Sequence, residues 1–210
     1  MNEKGSYPFS TKFLLIRHGL TDAVGRVMVG RSPGVHLNAT GRAQAARLAE
    51  RLRDVPLAAV ASSPLERTRE TARPIAESHR LPIQIVDGLV EYETGGWTGR
   101  PFTELDANPK WRRFNELRSL TCPPGGELML DVQRRGISAL LDLREQYPDG
   151  IVAAISHGDV IRAILLLLLG MPIDLLHRLE VSPGTISVVT LGADNPRVLQ
   201  VNGDSLPAIV

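Results

Sequence analysis

The chain has 210 residues, 43% of them hydrophobic and 22% charged, with a formal net charge of +1. That is the composition of an ordinary globular protein, and so small a net charge supplies no broad basic field for nucleic acid or an anionic membrane surface. The single cysteine, Cys122, cannot close an intrachain disulfide and offers no zinc cluster, so a cytoplasmic setting is expected.

Residues 1–12 (MNEKGSYPFSTK) are polar, are broken by Gly5 and Pro8, and lack the apolar core of a secretory signal. They read as a flexible lead-in to a single domain over 13–210. Phe13 to Ile16 reads as a short buried strand that ends in Arg17-His18-Gly19. Asn38 can cap a helix running to about Arg53, with Ala45, Leu48, Ala49 and Leu52 at helical spacing. Leu57 to Ala61 is a second strand. The next helix should start with Ser63 as N-cap, Pro64 at the first helical position and Glu66 closing a capping box. Ile83 to Val86 is a further short strand.

From Gly88 to Glu127 the chain changes character. It is rich in Gly, Pro, Trp and charge, with one helical stretch at about Phe102 to Leu117, and it reads as an insertion covering one end of the sheet. A helix over about Leu128 to Gln146 follows despite Gly136. Then come a strand at Ile151 to Ile155, a helix at Val160 to Leu169, and closing strands at Thr185 to Leu191 and Arg197 to Val201. The most apolar run, Ala163 to Leu169, is too short to cross a bilayer. Alternating strands and helices imply an α/β sandwich with a mostly parallel sheet, whose ligand site lies beyond the carboxyl ends of the strands.

Two strands end alike, one in Arg17-His18-Gly19 and one in Ser156-His157-Gly158. If both are central and parallel, both imidazoles reach one rim. Two histidines there could bind a metal, but no third ligand sits at close spacing, as in HxH or HExxH. The neighbours are Arg17 and Arg67, which repel a dication and grip an anion through paired hydrogen bonds. Phosphate is therefore the expected ligand, with Gly19 and Gly158 letting it approach the backbone. A neutral His18 could attack phosphorus, while Arg17, Arg67 and a protonated His157 meet the developing charge. Glu91 or Glu93 could protonate the leaving alcohol, and spacing does not separate them.

At this point the chain resembles the histidine phosphatase superfamily, in its phosphoglycerate mutase-like branch. Six motifs carry the likeness in order: RHGxT (17–21), GRxxxxxLxxxGxxQA (30–45), SSPLxRTxxTA (62–72), LxExxxGxWxG (89–99), PGGE (124–127) and SHGxxIR (156–162). The resemblance implies a three-layer α/β/α sandwich and a phosphohistidine on His18. It implies phosphoryl binding by Arg17, Arg67 and His157, and proton donation by Glu91 rather than Glu93. No metal or organic cofactor is implied. Thr21 could bind the phosphate or cap its turn, and Gly158 adds its backbone to the substrate site. Two positions depart from the family's habit: Val24 stands where Asn is common, and Leu20 where Glu is common.

The leading expectation is a metal-independent phosphomonoester phosphatase for a small phosphorylated metabolite, as monomer or homodimer, with no nucleic-acid or membrane partner. A 2,3-bisphosphoglycerate-dependent phosphoglycerate mutase is the alternative, although true mutases are usually longer between the acid and the second histidine. A non-catalytic phospholigand binder on the same fold should lack some of the five residues Arg17, His18, Arg67, Glu91 and His157, and all are present. His36, His79 and His177 read as surface or structural, Trp97 as a packing anchor, and Arg112-Arg113 as a solvated face. Phe102, Trp111 and Phe114 could face a substrate or merely pack.

Overall fold

Each core strand is built from residues that all want burial, so the sheet must be covered on both faces. In the computed structural model, which describes residues 10–192 and 195–207, β1 (Thr11–Arg17) shows how. Phe13 and Leu15 enter one hydrophobic cluster, and Leu14 and Ile16 enter the other. The first cluster is covered by α5 (Met129–Gln146) and α6 (Gly158–Leu168), the second by α1 (Ala39–Leu52) and α2 (Glu66–His79). The result is an α/β/α sandwich.

Beside β1 the sheet contains β2 (Leu57–Ser62), β3 (Ile83–Ile85), β4 (Ile151–Ser156), β5 (Ile186–Leu191) and β6 (Arg197–Gly203), in the order β3-β2-β4-β1-β5-β6. The β3-β2, β2-β4 and β4-β1 pairs are parallel, and β5 and β6 add an antiparallel edge. The mostly parallel sheet expected from sequence is thus present. Most of the expected lead-in, residues 1–9, lies outside the described residues, while Thr11 and Lys12 already pair in β1.

Gly136 is tolerated within α5 because a Cβ there would stand 3.0 Å from Ile164 Cγ1, so its absence lets α5 lie close to α6. Two expectations need correction. The single helical stretch over 102–117 is two pieces, α3 (Phe102–Leu105) and α4 (Pro109–Glu116). Asn108 caps α4 by accepting the Lys110 N–H, and Pro109 takes its first position, so Asn-Pro is the break signal. The capping box at Ser63 does not form. Leu65 holds the N-cap position of α2, and the Glu66 carboxylate accepts the Gly34 N–H instead. The Ser63 hydroxyl is committed elsewhere, to a histidine.

Within the stretch from 88 to 127, Trp97, Trp111 and Phe114 form an aromatic knot. The ring of Trp97 lies edge-on to Trp111 and to Phe114, with centroids 5.2 Å away in each case. Trp97 and Phe114 are buried packing residues, as is most of Trp111.

Candidate active site

Parallel pairing of β1 with β4 sets Arg17 opposite Ser156. The next residue on each strand is therefore a histidine at the same rim, and the His18 N–H donates to the Ser156 carbonyl at 3.0 Å. The His18 and His157 rings lie 5.3 Å apart at 62°, both buried. His157 is also the N-cap of α6, which begins at Gly158 rather than Val160. The electropositive start of that helix points at the same rim.

Hydrogen bonds set the state of each imidazole. His18 Nδ1 lies 2.8 Å from the Gly19 carbonyl and must carry the proton to donate there, which leaves a lone pair on Nε2. Burial, then the Arg67 and Arg17 cations, pull its pKa down to about 3. His18 is therefore neutral near pH 7, as a nucleophile must be. His157 Nε2 lies 2.8 Å from Ser63 Oγ. That oxygen also accepts the Leu65 N–H at 3.4 Å, and a Ser63 hydroxyl that donates to Nε2 places the His157 proton on Nδ1. Burial and the nearby cationic groups, Arg67 first, hold the His157 pKa well below the ordinary value. The sequence reading gave His157 a charge during phosphoryl transfer; its buried, cationic surroundings favour the neutral ring, with Nδ1 as its donor.

Arg17 Nη1 donates to the Val181 carbonyl at 2.6 Å, and Arg67 Nη2 to the Gly30 carbonyl at 2.8 Å. These bonds fix both guanidiniums without using them up. Among the described residues, the buried side-chain nitrogens lacking a hydrogen-bond partner are Arg17 Nε, Arg67 Nε and Nη1, His157 Nδ1, and Arg118 Nε. Buried donors are nearly always paired in folded proteins. Four unused ones around two histidines suit a multi-oxygen anion.

The glycines act differently from expectation. A Cβ on Gly19 would lie 2.6 Å from the Gly41 carbonyl oxygen, and its N–H is taken by Thr71 Oγ1 at 3.0 Å. Gly19 therefore makes room for the start of α1, not for an anion. A Cβ on Gly158 would lie 3.2 Å from Arg17 Cζ, so Gly158 makes room for the guanidinium. Gly158 still lines the site, as does Thr21, which is 3% exposed.

Glu91 and Glu93 separate clearly. Glu91 lines the cavity beside His18, Arg17 and Arg67, with Oε2 3.9 Å from His157 Nδ1 and Oε1 accepting the Tyr92 N–H at 3.0 Å. Glu93 is not among the lining residues, and its carboxylate accepts the Gly95 N–H at 3.3 Å. Burial, then Asp159, raises the Glu91 pKa to about 7 against the pull of Arg67. Burial thus outweighs the cationic pocket, and Glu91 retains a proton near neutrality. Its backbone is fastened from behind. Arg31 donates from Nε to the Glu91 carbonyl at 2.7 Å and from Nη2 to Glu127 Oε2 at 2.8 Å, and Arg135 holds the same carboxylate from the other side.

The cavity measures about 330 Å³, enough for a small metabolite. Val24, Met28, Phe102 and Trp111 give it apolar lining. Phe102 and Trp111 face this cavity, whereas Phe114 only packs. Arg112 and Arg113 are exposed, as expected of a solvated face. His36 pairs with Glu70 at the surface, and His79 bonds the Val55 and Ile75 carbonyls. His177 is a surface residue, as expected, and it also lines the cavity beside Arg118. Sequence reasoning missed Ser63, Arg31, Arg118 and Asp159 as site residues. Ser63 and Arg31 lie inside quoted motifs, whereas Arg118 carries no local signal. Among the described residues, no group of three or more His, Cys, Asp or Glu could hold a metal ion, and no helix is long and apolar enough to cross a membrane.

Comparison with known proteins comes to the same place. The family profile described as "Histidine phosphatase superfamily (branch 1)" matches residues 13–204. The "Glucosyl-3-phosphoglycerate phosphatase" of Mycobacterium tuberculosis is 30% identical over 172 residues, covering 77% of each chain. The "Phosphoserine phosphatase 1" of Hydrogenobacter thermophilus is 29% identical over 195 residues, covering 91% of this chain and 92% of that one. Among solved structures, the alpha-ribazole phosphatase from Shigella flexneri superposes with a TM-score of 0.82 at 27% identity, over 93% of this chain and 98% of that one.

Proposed function

The chain belongs to the histidine phosphatase superfamily, and on that premise we propose that it hydrolyses the phosphomonoester of a small metabolite through a phosphohistidine on His18. The observation that carries this reading is the pair of neutral imidazoles 5.3 Å apart, ringed by unused arginine N–H groups. The relatives named above, all phosphatases by name, support the same class.

The steps follow from the groups. His18 Nε2 attacks phosphorus, forming the P–N bond as the ester P–O bond breaks. Arg17 and Arg67 donate to the equatorial oxygens as charge spreads over them, and His157 Nδ1–H adds a third donor. Glu91 passes its proton to the leaving alkoxide, so the product departs as an alcohol. Water then attacks phosphorus, Glu91 takes the water's proton, the P–N bond breaks, and inorganic phosphate leaves with His18 neutral again. In this reading the charge on the transferring group is met by these side chains, and no step calls on a metal ion. The only cysteine is exposed and free, which fits a reducing compartment, and we assign the protein to the cytoplasm.

The test is hydrolysis of p-nitrophenyl phosphate in EDTA, compared with 3-phosphoglycerate plus a bisphosphoglycerate primer. Metal-free release of phosphate that is lost in His18→Ala is the expected result. Isomerisation of 3-phosphoglycerate well above hydrolysis would overturn the phosphatase assignment in favour of a mutase.

A further inference from the structure

The cavity that holds His18 reaches a second group of charges that the chemistry above does not use. Arg118, just beyond α4, lines it and is 1% exposed. Its Nη1 donates to Asp159 Oδ2 at 3.1 Å, its Nη2 donates to Asn115 Oδ1 at 2.8 Å and lies 3.0 Å from His177 Nε2, and its plane covers the Phe114 ring at 4.5 Å. The guanidinium is thus fixed from three sides. Its Nε is buried without a hydrogen-bond partner, with the Tyr92 hydroxyl near the same guanidinium.

Asp159 does not neutralise Arg118 alone. Its other oxygen, Oδ1, accepts from Arg162 Nη1 at 3.0 Å, so two guanidiniums share one carboxylate. Glu180 comes within 3.7 Å of Arg162, but its side chain is 67% exposed and water screens it. The cluster therefore presents an excess of about one positive charge to the cavity. The same cavity has apolar lining from Val24, Val27, Met28, Phe102 and Trp111. Arg118 is already paired with Asp159, but its buried Nε keeps a donor with no acceptor, and the excess charge of the cluster favours an anionic one. A polyol hydroxyl could accept that hydrogen bond but would leave the excess charge unmatched, and a bare alkyl group could do neither.

We infer that Arg118 is a specificity-determining residue, and that the preferred substrate is a phosphomonoester whose alcohol half carries a carboxylate. One excess positive charge in a cavity of about 330 Å³ matches a compact monoanion better than a second phosphate dianion. The inference rests on the phosphatase reading and extends it to the leaving group.

The experiment compares esters that differ only at that group: 3-phosphoglycerate against glycerol 3-phosphate, and O-phosphoserine against phosphoethanolamine. p-Nitrophenyl phosphate reports the basic reaction. In the wild-type protein, kcat/KM should favour the carboxylated member by roughly 10- to 100-fold in at least one pair, the range of a buried charge-assisted contact. Arg118→Gln should collapse that ratio towards one, with p-nitrophenyl phosphate turnover still measurable. Wild-type ratios near one in both pairs would overturn the inference while leaving the phosphatase reading intact, and need no variant. Equal losses on both members of a pair in Arg118→Gln would also overturn it, since a strut between the cover and α6 has no preference among substrates. If no ester is hydrolysed, p-nitrophenyl phosphate included, the phosphatase reading falls and takes this inference with it.

Discussion

Replacing Glu91 with Gln should stabilise the protein, and more so as pH rises. The wild-type carboxyl is held at about 7, against 4.5 for an ordinary glutamate. A folded-state pKa above the unfolded one means that the native form binds more protons between those two values. Stability contributed by this group is then full below pH 4.5 and is lost as pH climbs through 7. A difference of this size corresponds to about 3 kcal/mol once both states are ionised. Its side chain is only 15% exposed, so solvent screening removes little of that. Gln has nearly the same shape and no charge to bury. The stability difference between Glu91→Gln and wild type should therefore grow by about 2 kcal/mol from pH 5 to pH 8. Denaturant unfolding of both proteins at several pH values measures it, and titrating groups remote from Glu91 cancel in the comparison. A difference that does not change with pH would refute the claim that burial keeps Glu91 protonated. The same substitution should abolish turnover of alkyl phosphates, since they need a proton on the leaving oxygen.

Two further substitutions probe how the histidines are held. Ser63→Ala removes the hydroxyl at 2.8 Å from His157 Nε2 and lets the proton shift from Nδ1, so kcat should fall about tenfold or more, with a stability loss of about 1–3 kcal/mol by chemical denaturation. Recovery of kcat in Ser63→Thr would tie the loss to the hydroxyl. Gly19→Ala drives a Cβ to 2.6 Å from the Gly41 backbone, so thermal unfolding should show destabilisation of about 1–3 kcal/mol, with a larger loss in kcat than in KM because the adjoining His18 is displaced.

Much of this site was legible because it is local to strand ends. Phe13 to Ile16 and Ile151 to Ile155 announce buried strands, and each is followed within two residues by a histidine. Central placement and parallel pairing then bring the histidines together. Asn38 was readable as a cap, and it does accept the Gly41 N–H at 2.9 Å. The misreadings of Ser63 and Gly19 share one cause, a partner far away in sequence. Ser63 precedes Pro64 as an N-cap should, but its hydroxyl goes to His157, 94 residues on. Gly19 looked like clearance for an anion because Gly41 could not be placed against it. The choice between Glu91 and Glu93 depends on Arg31 and Glu127 holding the backbone between them. The charge on His157 depended on how deeply it is buried, which no local pattern encodes.

The central claim is that His18 carries the phosphoryl group. Rapid acid-free quenching of the enzyme with a ³²P-labelled phosphomonoester, followed by peptide mapping, tests it most directly. The prediction is an acid-labile, alkali-stable label on the peptide containing His18, absent from His18→Ala together with turnover. Label on any other residue, or full turnover by His18→Ala, would contradict it.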